Sequence, residues 1–273
     1  MTIEVTSEDG TTIAFDRSGE GQSLVLVGGA LADRSAAAQL SAQLAPHFTV
    51  IAFDRRGRGD SGDTAPYAVE REVEDIEALI VAAGGRAFVL GHSSGAVLAL
   101  ESARTFPDRI GKLALYEPPF IVDDSRSLLP EDYVTRLQEL VSAGRRDDAV
   151  EFFLTIAVGV PTEVVAGMRR EPFWSSMEAV AHTLSYDGTV MSDTMGGSPA
   201  PLERWSSIAV PTLVMDGGAS PDWQRHAVRA LVNVLPDARQ RTLEGQDHGP
   251  ESEVLAPVLV EFFLGERRCR PHV

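Results

Sequence analysis

An α/β fold on a mostly parallel central β-sheet, flanked by helices, is predicted by three features of this chain. Short, continuous apolar runs alternate with amphipathic helical patterns over most of its length. Runs of that kind mark strands buried on both faces, as occurs where helices cover a parallel sheet. The chain opens instead with alternating apolar and polar residues, and it loses its strand rhythm between Pro118 and Pro201.

Thr2 to Val5 and Thr11 to Phe15 alternate around Ser7-Glu8-Asp9-Gly10, which predicts an antiparallel hairpin at a sheet edge. Ser23-Leu24-Val25-Leu26-Val27, closed by Gly28-Gly29, is the first run that reads as a doubly covered strand. Phe48 to Phe53, Arg86 to Leu90, Lys112 to Tyr116 and Thr212 to Met215 read the same way. Val73, Ile76, Leu79 and Ile80 fall at helical spacing, with Glu70, Glu72, Glu74, Asp75 and Glu77 on the other positions. Val97, Leu98, Leu100 and Ala103 form a second helical face. From 118 to 201 only helical patterns remain. The division this predicts is a core of residues 1–117 and 202–273, with a helical cap, 118–201, inserted over one end of the sheet.

Composition narrows the function classes. A length of 273 residues allows a full core, and the formal charge of −16 argues against nucleic-acid or anionic-membrane binding. The single cysteine, Cys269, excludes an intramolecular disulfide and any cysteine-based zinc cluster. Met1-Thr2-Ile3-Glu4-Val5 lacks the basic and apolar regions of a signal peptide, and the longest apolar stretch, Leu24 to Ala32, falls short of a membrane span. Carboxylates are scattered, without metal-ligand spacing, and no G-x-G-x-x-G follows the Gly28-Gly29 strand. The expectation is a soluble cytoplasmic protein acting on a small molecule, with no metal and no cofactor. Its oligomeric state is left open.

Gly91-His92-Ser93-Ser94-Gly95 follows an apolar strand and opens a helix, so G-x-S-x-G stands at a sharp strand-to-helix turn. Such a turn lifts Ser93 Oγ out of the sheet as a nucleophile and aims the Ser94 amide at a developing oxyanion. A serine needs a base. Of the six histidines, His248 occupies a loop after the strand-like Arg239 to Leu243 and before the last helix, and it is the candidate base. His92 lies inside the turn, facing away from Ser93. His226 sits on an Arg-flanked helix, His272 in the terminal tail, and His182 in the helical insertion, where it would be packed or solvated.

The hairpin, the Gly28-Gly29 loop, Asp54-Arg55-Arg56-Gly57-Arg58-Gly59-Asp60-Ser61, the serine turn, the insertion and the late histidine together resemble a capped α/β-hydrolase of the serine esterase type. The resemblance spans nearly the whole chain and implies that fold. It also implies that the Ala30 amide is the second oxyanion donor, although Gly28 stands where relatives carry histidine. In most relatives the acid follows the strand matching Thr212 to Met215, but Ser220 stands there in Asp216-Gly217-Gly218-Ala219-Ser220-Pro221. Glu117, Asp216 and Asp222 are the candidate acids. Glu117 ends the strand after the serine helix, where some relatives, including haloalkane dehalogenases, carry theirs. Asp247 is a weaker candidate.

The insertion is apolar in patches, and Trp174 and Met177 are its candidate pocket residues. Asp33-Arg34 would either meet a polar substrate group or brace the loop. The expected activity is hydrolysis of a small, mostly apolar ester, thioester or lactone through an acyl-enzyme at a Ser93, His248 and Glu117 (or Asp216) triad. The alternative is a non-hydrolytic relative: a small-molecule binding protein or a cofactor-free haloperoxidase-type enzyme.

Overall fold

Eight strands form one sheet: β1 (Ile3–Thr6), β2 (Thr12–Ser18), β3 (Gln22–Val27), β4 (Phe48–Phe53), β5 (Ala87–His92), β6 (Ile110–Tyr116), β7 (Thr212–Gly217) and β8 (Ala238–Leu243). The structure is a computed structural model and describes residues 2–265. Across the sheet the order is β1-β2-β4-β3-β5-β6-β7-β8. β1 and β2 form the expected antiparallel hairpin, with Ile3 opposite Phe15, and β2 pairs antiparallel with β4. Every other pairing is parallel, so the carboxyl ends of β3 to β8 lie along one rim.

Alternation along the buried strands sends side chains to two helical layers. Val25 and Val27 join a cluster with Ile76, Leu79 and Ile80 of α2 (Val69–Ala82), Val97 and Leu100 of α3 (Ser94–Thr105) and Val228 and Leu231 of α9 (Asp222–Val234). Leu24 and Leu26 face the other way. They pack with Leu44 of α1 (Ala38–Leu44) and Leu255 and Leu259 of α10 (Ser252–Leu264).

The helical patterns between β6 and β7 become α4 (Tyr133–Ser142), α5 (Arg146–Phe152), α6 (Thr162–Met168), α7 (Trp174–Val180) and α8 (Leu184–Met191), with a π-helical turn over Phe153–Val158. Tyr133, Leu137, Val150, Trp174 and Leu184 build a separate apolar cluster. Phe120, Ile121, Val190, Met191 and Trp205 instead join the cluster of Val25 and Val27. Among the described residues no helix is long and apolar enough to cross a membrane.

The loop after β4 buries two of the acids of α2. Arg55, Arg56 and Arg58 are all buried, and each needs a counter-charge. Glu72 receives two hydrogen bonds from Arg55, at 2.6 and 2.7 Å, and Asp75 receives two from Arg56, at 2.8 and 2.7 Å. Both acids are as buried as the apolar face beside them.

Candidate active site

Ser93 sits between β5 and α3 with φ +56° and ψ −127°, a conformation that costs energy in any residue but glycine. Its N–H donates to Tyr116 O at 3.0 Å, tying the turn to β6. The flanking glycines are steric requirements. A Cβ on Gly91 would lie 2.5 Å from Ala96 Cα, and one on Gly95 would lie 2.3 Å from Val27 O. Gly29 approaches from β3 so closely that its Cβ would fall 2.9 Å from Ser93 Cβ.

His248 follows β8, and its Nδ1 is 2.8 Å from Glu117 Oε2. Glu117 follows β6 directly, with φ +45° and no exposed surface, and its other oxygen accepts the Gly217 N–H at 2.8 Å. Burial pushes the Glu117 carboxyl up. The hydrogen bonds from His248 and Gly217 and the nearby Ser220 hydroxyl outweigh this and hold it below the usual carboxylate range. Ser220 is buried and close enough to favour the charge, although its Oγ falls short of full hydrogen-bond geometry. With Nδ1–H donated to the carboxylate, Nε2 keeps the lone pair a general base requires.

Neighbours fix the ring further. The amide of buried Gln224 lies 2.8 Å from the same Nδ1. His92 Nε2–H donates to His248 O at 2.8 Å, and Tyr116 Oη–H donates to Asp247 O at 2.5 Å. Burial and the neighbouring His248 push the His92 imidazole down to about 4, so it is neutral at pH 7. His92 lines the cavity and holds the loop of His248.

Ser93, His248, Ala30 and Ser94 border one cavity of about 640 Å³, with Leu31, Phe153, Leu154, Val158, Met191 and Met195 among its apolar walls. Ser93 Oγ makes no hydrogen bond to another described residue, as is common for a nucleophile without substrate. Among the described residues no three His, Cys, Asp or Glu side chains gather as ligands for one ion.

Several sequence candidates lie elsewhere. Trp174 and Met177 belong to the inner cluster of the helical body. Trp174 Nε1 donates to Glu178 at 3.1 Å, and the π-helical turn and the end of α8 line the cavity instead. Asp216, the alternative acid, accepts from Thr242 at 3.0 Å and Gln240 at 3.4 Å and leaves Oδ2 unpartnered. Burial raises its pKa, with nearby Glu117 adding to the effect. Asp222 is exposed and pairs with Arg225. Arg34 braces its loop on Asp16, Asp54 and Asp60, and Asp33 accepts the Ser35 N–H at 2.8 Å. His226 pairs with Asp123 at 2.5 Å, and His182 leaves a buried Nδ1 unpartnered. Cys269 and His272 lie outside the described residues.

The sequence reading missed Gln224 and a buried charge cluster. Asp187 of α8 accepts from Arg55 Nη1, Arg58 Nη2 and Ser94 Oγ at 2.7, 2.7 and 2.6 Å. Three arginines in one loop after a buried strand were the available sign that buried acids must answer them.

Comparison with known proteins agrees with this architecture. The model of the alpha/beta hydrolase family matches residues 24–258. A crystal structure of an alpha/beta hydrolase from Sphaerobacter thermophilus superposes with a TM-score of 0.90 at 57% identity, covering 96% of this chain and 100% of that one. The enol-lactonase of Burkholderia xenovorans superposes with a TM-score of 0.70 at 23% identity, over 96% of this chain and 100% of that one. The 2-(acetamidomethylene)succinate hydrolase of Mesorhizobium japonicum is 23% identical over 245 residues, 87% of this chain and 85% of that protein. From β3 to α10, then, sheet order, serine turn and sequence agree, and the chain belongs to the alpha/beta hydrolase family.

Proposed function

We propose that the chain is a serine hydrolase that cleaves a small, mostly apolar carboxylic ester, thioester or lactone through an acyl-enzyme on Ser93. The observation that carries this reading is the Glu117–His248 pair facing the same cavity as the strained Ser93 turn. Ser93 Oγ attacks the carbonyl carbon while His248 Nε2 takes its proton. Glu117 keeps the imidazole in the required tautomer and stabilises its charged form. The Ala30 and Ser94 amides receive the oxyanion. His248 then protonates the leaving alcohol, thiol or lactone oxygen, activates a water, and the acid departs. The inserted helices act as the cap, and their apolar residues at the cavity select an apolar acyl or leaving group.

Stopped-flow hydrolysis of p-nitrophenyl butyrate tests the reading. The expected result is product release in which Ser93→Ala lowers kcat by about 10³-fold or more. Undiminished turnover by Ser93→Ala overturns it.

A further inference from the structure

Two peptide amides from different strand ends must point at one oxygen for the proposed oxyanion hole to work. The buried charge cluster touches the supports of both. Arg58 Nη1 donates to Gly29 O at 2.5 Å and to Ala32 O at 3.3 Å. Gly29 O belongs to the same planar peptide unit as the Ala30 N–H, which points the opposite way. Gripping that carbonyl therefore fixes the direction of the amide. Arg55 Nη1 reaches Gly28 O at 3.3 Å, one peptide earlier. On the other side, Ser94 begins α3 and its hydroxyl donates to Asp187 at 2.6 Å, which restrains the residue bearing the second amide.

We propose that Asp187, supplied by the inserted helix α8, is a positioning residue for the oxyanion hole and aligns both of its amides at once. Through Arg58 it sets the Ala30 peptide, and through the Ser94 hydroxyl it sets the start of α3. This inference rests on the serine hydrolase reading above. The arrangement is closed to water: the side chains of Asp187, Arg55, Arg58 and Glu72 are each at most 3% exposed. Two guanidinium groups face two carboxylates, so the cluster is neutral, and Tyr67 Oη–H donates to Glu72 at 2.8 Å from its far side. Tyr186, next to Asp187, stacks on Tyr67 with ring centroids 3.9 Å apart and donates to Asp63 at 2.9 Å. Those contacts seat α8 on the core at the same point. Activity then depends on the seating of the insertion, because the oxyanion amides are aligned by a residue of α8 and not by the core alone.

The test compares Asp187→Asn with the wild-type protein in three readouts: p-nitrophenyl butyrate kinetics, inhibition by phenylboronic acid, and titration of reactive Ser93 with a fluorophosphonate. A boronate forms a tetrahedral adduct with the serine and places an oxygen where the oxyanion would lie. The expected result is a loss of about 10–100-fold in kcat per titrated site, with KM within about threefold and boronate affinity reduced about tenfold. A purely structural role for Asp187 lowers the fraction of titratable sites and leaves kcat per site and boronate affinity unchanged; that result overturns the proposal. Should Asp187→Asn fail to fold, Ser94→Ala decides, since it keeps all four charges and the Ser94 amide. It is expected to lower kcat per titrated site by about fivefold at constant KM, with Tm reduced by a few degrees from the lost hydrogen bond. An unaltered kcat overturns the proposal. A wild-type protein that neither reacts with the fluorophosphonate nor turns over ester overturns the hydrolase reading, and this inference with it.

Discussion

Glu117 holds its charge where no solvent reaches it, and the site organises around that fact. A buried carboxylate is tolerated only with partners, which here are His248, the Gly217 N–H and the adjacent Ser220. Asp216 has weaker partners and a raised pKa. Glu117→Gln is expected to lower kcat for p-nitrophenyl butyrate by about 10²–10⁴-fold, because the ring loses the acceptor that sets its tautomer. Asp216→Asn should leave kcat within about threefold; the reverse order of effects would reassign the acid. His92 makes a second residue-level prediction. Its imidazole has a pKa near 4 in the folded protein and 6.5 ordinarily. The unfolded chain binds more protons between those values, so stability falls as pH drops from about 6.5 to 4. His92→Gln should flatten the dependence of Tm on pH across that window, and parallel wild-type and variant profiles would contradict it. Ser93 and His248 were legible in the sequence because a sharp turn and a late loop are local patterns. The acid stayed open among three carboxylates because its pairing joins residues far apart in the chain. Gln224 carried no local signal at all.

At the scale of elements, apolar periodicity located the strands and helices and misplaced some of their charges. The apolar face of α2 was legible, but the burial of Glu72 and Asp75 was not, because periodicity registers only apolar positions. Their burial follows from Arg55 and Arg56, which lie in a preceding loop. Glu72→Gln leaves Arg55 and Arg58 facing a single carboxylate and is expected to lower unfolding free energy by about 3–5 kcal/mol in urea titrations. Glu261→Gln removes an exposed pair with Arg241 and should change stability by no more than about 0.5 kcal/mol. Equal effects would mean that the buried cluster is not selectively important. The pocket-facing side of the insertion was illegible for a related reason. Trp174 and Met177 have the expected chemistry, yet only the packing of α7 within its own cluster decides that they face inward.

At the scale of the whole molecule, sheet order and the inserted helices bring a cavity to the carboxyl rim of the strands, where ligand sites in α/β folds form. The chain carries a formal charge of −16, and exposed Asp33 and Asp247 border the cavity. Raising the salt from about 20 to 300 mM screens that field, with the Debye length shrinking from about 20 to 6 Å. It is expected to increase kcat/KM for a carboxylate-bearing aryl ester by severalfold and to leave p-nitrophenyl butyrate within about twofold. Equal salt responses would show that the charge does not act on substrate. The hydrolase reading as a whole is tested most directly by incubating the protein with a fluorophosphonate and mapping the adduct by mass spectrometry. A single adduct on Ser93, slowed in Glu117→Gln and absent in Ser93→Ala, is the expected result. A folded protein left unlabelled, or labelled at another residue, would contradict it.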